Sequence, residues 1–196
     1  MDAVRAFIAI DLPQDIRRLL RRRIEVLKEA LDDTAVRWVR PEAVHLTLRF
    51  LGETRLERVT DLKSRLENLA RGEPVFSFKV GGLGCFPNMN TPRVVWLGVQ
   101  EESGALLRLQ RSVEDMCREI GFAAERRGFS PHLTLGRVRR GAEAETGIEL
   151  ARLVGAEEAE PSGRAQVDEV VLFQSELRPE GAIYRRLAVA RLGEAQ

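Results

Sequence analysis

The sequence predicts a protein of mixed helices and strands, built from two related units that share a cleft. Three observations lead there. Short strand-like runs alternate with amphipathic helical segments along the whole chain. Two stretches are near copies, Val44-His45-Leu46-Thr47-Leu48-Arg49 and Pro131-His132-Leu133-Thr134-Leu135-Gly136-Arg137. The 87 residues that separate His45 from His132 also carry FIAIDL at 7–12 onto VVWLGV at 94–99. Each of these apolar runs is followed by a helical pattern and then by a His-x-Thr-x strand. An internal duplication explains the shared order, with repeats at approximately 1–87 and 88–196 inside a single 1–196 domain. A pseudo-twofold relation between the units places His45 and His132 on opposite walls of a common cleft.

The elements follow in order. FIAIDL, ended by Pro13, is a short buried strand. Ile16, Leu19, Leu20, Ile24, Leu27 and Leu31 recur at helical spacing across 14–31, with arginines outside. Residues 35–39 alternate as a strand, and the first motif strand runs from Val44 to Leu51, where Gly52 is expected to end it. Leu56, Val59, Leu62, Leu66 and Leu69 define a helix over 55–70. Phe76, Phe78 and Val80 alternate in the next strand. The glycine-rich stretch 81–84 has no following helix and no Lys-Ser/Thr, so it is read as a bulged strand and not as a phosphate cradle. A turn at 87–92 leads to a return strand at 93–99, and a helix at 103–120 ends before Gly121. The second motif strand covers 129–138, followed by a polar loop at 139–147, a weak helix at 148–154 and a loop at 155–166. Strands at 167–174 and 183–192 flank a turn at 177–181.

Strand parity gives the motifs their chemistry. Leu46 and Leu48 alternate with His45 and Thr47, so the leucines face a core while the imidazole and the hydroxyl share the other face. Parity places Arg49 on that same polar row. In the second motif the row is His132, Thr134 and Gly136. Together the motifs hold both histidines of the chain.

Composition narrows the setting. At 196 residues, with 44% apolar and 31% charged residues and a net charge of +1, the chain has the make-up of a soluble globular protein. No whole-molecule field draws it to nucleic acid or membrane, so anion binding must be local. Its cations are almost all arginine, the lysines being Lys28, Lys63 and Lys79, an excess read as compositional bias of the genome. Cys85 and Cys117 lack metal-ligand spacing and read as reduced, buried thiols of a cytoplasmic protein. MDAVRAFIAIDLPQD lacks the features of a signal peptide, and no apolar run reaches membrane-span length.

Two opposed imidazoles suit acid–base chemistry at a phosphodiester. In-line displacement needs a base on the attacking oxygen and an acid on the departing one, and histidine can be either near neutral pH. Thr47 and Thr134 offer hydrogen bonds to non-bridging oxygens, and an arginine can balance charge in the transition state. No metal is needed if a histidine activates the nucleophile and the substrate is strained.

These residues resemble the 2H phosphoesterases, a family named for paired HxTx motifs, and among them the RNA 2′,3′-cyclic phosphodiesterases, also called 2′-5′ RNA ligase-like proteins. RPEAVHLTLRFLGE at 40–53, FSPHLTLGR at 129–137 and FIAIDLP near the N-terminus carry the resemblance. It implies a bilobal α+β fold, with two antiparallel sheets flanking a central cleft, helices outside and both termini in one lobe. It implies hydrolysis of a terminal 2′,3′-cyclic phosphate to a 2′-phosphate, on RNA ends or cyclic nucleotides, without cofactor or metal. By motif position, His45 is the proton donor to the 3′ oxygen, His132 the acceptor from water, and Thr47, Thr134 and Arg137 hold the phosphate. Strict parity turns Arg137 away from the cleft, and a bulge near Gly136 would bring it back. Phe50, Phe129 and Trp38 could stack on a base, but core packing is the favoured reading of each. A zinc hydrolase is a poor fit, because no third histidine exists and no acidic residue shares the motif strands. The remaining alternative is a non-catalytic module that binds RNA ends or nucleotides in the same cleft.

Overall fold

Strand β1, Ala3–Ile10, is buried on both faces from Ala6 onward and lies inside the first of two antiparallel sheets. The computed structural model describes residues 3–156, 163–178 and 181–193. From β1 the chain runs through α1 (Gln14–Ala30), β2 (Val36–Trp38), a 3₁₀ turn (Pro41–Ala43), β3 (Leu46–Arg55), α2 (Leu56–Arg71) and β4 (Phe76–Phe86). It continues through β5 (Val94–Gln100), α3 (Ala105–Glu119), β6 (His132–Val138), α4 (Glu143–Ala156), β7 (Gly163–Val167), β8 (Glu169–Arg178) and β9 (Gly181–Arg191).

The sheets have the orders β3-β1-β8-β9 and β2-β6-β5-β4-β7. The first and last strands therefore share a sheet, and neither sheet is drawn from one half of the sequence. Ala6, Ile8 and Ile10 on one face of β1 join the main core, whereas Phe7 and Ala9 on the other pack with Val171 and Phe173 of β8. Helices α2 and α3 cover the helix side of the first sheet, and α1 and α4 pack on the second. The apolar stripe of α1 is buried from Ile16 to Leu27, as its spacing predicts.

A register repeat underlies the arrangement. Ile10 pairs with Leu46 and Ala9 with Thr47, then Leu48 bulges out and Ile8 pairs with Arg49. In the second sheet Leu97 pairs with Leu133 and Trp96 with Thr134, then Leu135 bulges out and Val95 pairs with Gly136. Every residue of the second set is its counterpart shifted by the distance between His45 and His132, the bulge included.

Several boundaries differ from those read in the sequence. β3 continues past Gly52 to Arg55, because Gly52 takes the left-handed conformation and the strand resumes beyond it. The bulge expected in the glycine-rich stretch falls at Gly82, which also has positive φ and is skipped in the β4–β5 register. The polar loop expected at 139–147 becomes helix from Glu143, because Thr146 and Gly147 are buried there, Gly147 packing on the turn before β5. β7 was expected to be loop. Its Ala165 and Val167 are buried where it completes the second sheet beside β4. The remainder of the 155–166 loop and part of the 177–181 turn fall on 157–162 and 179–180, outside the described residues.

Candidate active site

The two histidines are held in the same way. His45 sits between the 3₁₀ turn and β3, with Nδ1 3.0 Å from the Ala43 carbonyl oxygen. His132 opens β6 with Nδ1 2.7 Å from the Ser130 carbonyl oxygen. A carbonyl only accepts, so each Nδ1 carries the proton and each Nε2 is left for the cleft. In both cases the acceptor lies two residues upstream. The two sides of the cleft are close enough to sense each other's charges. His132 acts on His45, and Arg137 of β6 acts on Tyr184 of β9.

The walls are aromatic. His45 lies 4.5 Å from Phe7 and 5.0 Å edge-on to Tyr184 between ring centroids. His132 stands edge-on to Phe86 at 4.9 Å, with Trp96 at 6.3 Å. Trp96 lies across Gly84, where a Cβ would come within 2.3 Å of the indole, so β4 needs glycine at that position. These rings exclude water. Burial is the main cause that lowers the His45 pKa from 6.5 to about 4, and the Arg17 and His132 charges add to it. The Ala43 carbonyl and Asp11 oppose the shift. Burial also lowers His132, assisted by Arg137 and opposed by the Ser130 carbonyl.

Thr47 and Thr134 are half-buried, and neither hydroxyl has a protein hydrogen-bond partner among the described residues. The bulges decide the next two positions. Parity put Arg49 on the polar row, but the extra residue at Leu48 turns it inward, where it is 7% exposed. Phe50 swings to the cleft side, 6.0 Å from Phe7 and 58% exposed, so it is not the core aromatic that its sequence suggests. The matching bulge at Leu135 turns Gly136 inward against Val36 and Trp38, and it brings Arg137 to the face of His132 and Thr134. Arg137 is exposed and pairs with no carboxylate among the described residues. Phe129 and Trp38 pack on the core as expected.

One element of the site is absent from the motif reading. Arg17 of α1, 9% exposed, donates from Nε to the Leu12 carbonyl at 2.9 Å and from Nη1 to the Pro41 and Glu42 carbonyls at 3.1 and 2.6 Å. Its Nη2 pairs with Asp11, which also meets Arg186 of β9. The guanidinium thus fastens the turn whose last carbonyl orients His45. The only sequence signal was an arginine on the apolar side of α1, one residue after Ile16. The aromatic wall had a clearer signal, since Phe86 and Phe173 differ by the same offset as the histidines. Among the described residues no group of three His, Cys, Asp or Glu side chains could hold a metal ion. No described helix is long and apolar enough to cross a membrane. Cys85 and Cys117 are buried free thiols, and burial raises Cys117 to about 12.

Comparison with known proteins identifies the family. A family model described as LigT like Phosphoesterase matches the chain twice, over residues 10–96 and 97–184. An RNA 2′,3′-cyclic phosphodiesterase from Archaeoglobus fulgidus is 38% identical over 186 residues, covering 95% of this chain and 99% of that relative. One from Methanothermobacter thermautotrophicus is 38% identical over 189 residues, covering 96% and 99%. The crystal structure of TT0787 of Thermus thermophilus superposes with a TM-score of 0.79 at 28% identity, over 98% of this chain and 100% of that one. Escherichia coli LigT complexed with 3′-AMP superposes at 0.75 and 27% identity, over 97% and 99%. The chain belongs to the LigT-like family of 2H phosphoesterases.

Proposed function

We propose that the protein hydrolyses 2′,3′-cyclic phosphate ends of RNA, or the corresponding cyclic nucleotides, to 2′-phosphomonoesters, using the paired histidines and no metal. The observation that carries this reading is the matched pair of imidazoles. Each is tethered through Nδ1 to a carbonyl two residues upstream, with Nε2 free, and partnerless threonine hydroxyls and Arg137 stand beside them. Relatives named RNA 2′,3′-cyclic phosphodiesterase support the substrate class.

In this mechanism His132 Nε2 removes a proton from water as the water oxygen bonds to phosphorus. The bond from phosphorus to the 3′ oxygen breaks, and His45 Nε2 delivers its proton to that oxygen. The product is a 2′-phosphate with a free 3′ hydroxyl. Thr47 and Thr134 donate to the non-bridging oxygens, and Arg137 offsets the charge that builds on them. The proton taken from water returns to His45 through solvent. In the free protein both imidazoles are neutral at pH 7. A bound phosphate anion between them stabilises the imidazolium, so the substrate itself charges the acid. The productive state carries one proton on the pair, on His45 as the acid, with His132 neutral as the base.

The test is incubation with a 2′,3′-cyclic nucleotide in EDTA, with the product identified. A 2′-phosphate formed at an undiminished rate is expected. A 3′-phosphate would reverse which oxygen faces His45, and loss of turnover in EDTA restored by a divalent cation would refute the metal-free mechanism.

A further inference from the structure

The two half-sites share a register but diverge at one pair of positions, Gly136 in β6 and Arg49 in β3. At Gly136 a Cβ would lie 2.6 Å from Val36, because β2 covers β6. β3 is an edge strand, so the matching place has room for a long side chain. Arg49 uses that room to meet Glu114 of α3 at 2.8 Å and Glu125 at 3.4 Å, and it donates to the Ala123 carbonyl. Glu114 accepts the Glu125 backbone N–H at 3.0 Å. Burying such a network has a desolvation cost. Its structural result is that residues 122–127, which have no regular structure, are fastened beside β3.

A cavity of about 450 Å³ lies between them. One wall is formed by residues that follow Thr47, the other by residues that precede His132. Phe50 stands at its edge, one ring removed from His45 through Phe7. Across from it, Arg126 has no ion-pair partner among the described residues, and Arg127 is 94% exposed with only a 3.9 Å approach to Glu125. An exposed aromatic ring opposite uncommitted arginines is the chemistry of single-stranded nucleic acid, in which a base stacks and a phosphate is neutralised. Net charge is only +1, so this cationic patch is local.

We propose that the cavity receives the nucleotide immediately 5′ of the cyclic-phosphate end of an RNA strand, with its base on Phe50 and its phosphate at Arg126 and Arg127. The inference rests on the functional reading above and deepens it. The substrate is an RNA end of two or more nucleotides, and a cyclic mononucleotide leaves the cavity empty.

The test compares kcat/KM for 2′,3′-cyclic AMP with that for an adenylate dinucleotide and hexanucleotide ending in 2′,3′-cyclic phosphate. The wild type is expected to favour both oligonucleotides by about tenfold or more, within the range that base–aromatic stacking supplies. The advantage should shrink as salt rises. The double variant Arg126→Ala/Arg127→Ala is expected to remove most of it, with mononucleotide turnover within about twofold of wild type, and Phe50→Ala is expected to lower kcat/KM for the oligonucleotides by several-fold more than for the mononucleotide. That turnover also reports that the variants fold. Equal kcat/KM on all three substrates in the wild type would overturn the proposal. So would variants that lower mononucleotide and dinucleotide turnover alike, which would put the terminal base itself on Phe50. Failure to turn over any substrate would overturn the functional reading instead. Anisotropy binding of the labelled hexanucleotide to wild type and variants would then decide the cavity separately.

Discussion

Replacing Arg17 by methionine tests whether His45 is positioned from a distance. Methionine keeps much of the volume and the helix propensity but removes every hydrogen bond that the guanidinium makes. The Leu12 carbonyl loses its 2.9 Å donor in a buried place, and the Pro41 and Glu42 carbonyls lose theirs at 3.1 and 2.6 Å. Asp11 keeps Arg186, so the carboxylate is not stranded. Breaking a buried pair costs about 3–5 kcal/mol, and the surviving partner of Asp11 places this substitution near about 3 kcal/mol. That is a large part of the stability of an ordinary domain, about 5–15 kcal/mol. The turn that supplies the Ala43 carbonyl is then free to shift. An imidazole misplaced by about 1 Å loses on the order of 10² in rate. Urea unfolding should therefore show the stability loss, and kcat on a cyclic nucleotide should fall by about 10- to 100-fold at a temperature where the variant is folded. Arg17→Lys restores charge without the fork and should recover part of the stability but little of kcat. Wild-type kcat in folded Arg17→Met would refute the positioning role, as would a stability loss below about 1 kcal/mol.

Other outcomes follow from the same geometry. His45→Ala and His132→Ala should each lower kcat by about 10²-fold or more, with cyclic-nucleotide turnover as the assay, and unchanged turnover in either would end the acid–base mechanism. The folded protein holds His45 neutral down to about pH 4, whereas the unfolded chain protonates it near 6.5. The unfolded state thus binds the extra proton first, and stability should fall by about 3 kcal/mol as pH drops from 6.5 to 4, then level off for this group. Denaturation midpoints across that range should be flatter in His45→Gln, and an identical slope in variant and wild type would count against the burial argument. Both histidines are depressed in the free protein, and under the proposed mechanism a bound phosphate raises them, so kcat/KM should peak at a lower pH than kcat; coincident profiles would contradict this. Gly84→Ala drives a Cβ into the Trp96 ring and should cost about 1–3 kcal/mol in thermal or urea unfolding, with a change in tryptophan fluorescence.

The helices were legible because their stripes are local. Ile16, Leu19, Leu20, Ile24 and Leu27 are buried as their spacing requires, since a helix has one period and no partner is needed to read it. α4 is longer than its sequence pattern, and β7 has no strand pattern of its own, because each is set by what it packs on. Thr146 is buried and Gly147 packs on the turn before β5, so the helix starts earlier than its pattern, and β7 is a strand because β4 offers an edge. The histidines and threonines were legible because the same word occurs twice at an offset that other elements obey. Arg49 and Phe50 were not, and Arg137 fits the cleft only with the bulge that the family resemblance calls for near Gly136. Parity reads faces correctly only while a strand stays regular; one extra residue at Leu48 and at Leu135 reverses the faces that follow, and in β3 a second shift at Leu51 restores them, so Thr54 is buried again.

By itself the sequence determined the two His-x-Thr-x strands, the order of elements around them and the family to which the chain belongs, because these depend on residue identity and spacing. Tertiary structure alone decided how the cleft is furnished. The bulges brought Arg137 and Phe50 to it and turned Arg49 away. Arg17 reached across 24 and 25 residues to hold the turn before His45, and rings from β1, β8 and β9 closed over that imidazole and lowered its pKa to about 4. Such features arise from contacts between residues far apart in the chain, and a bulge is a property of how two strands meet, so neither is written in any one stretch of sequence.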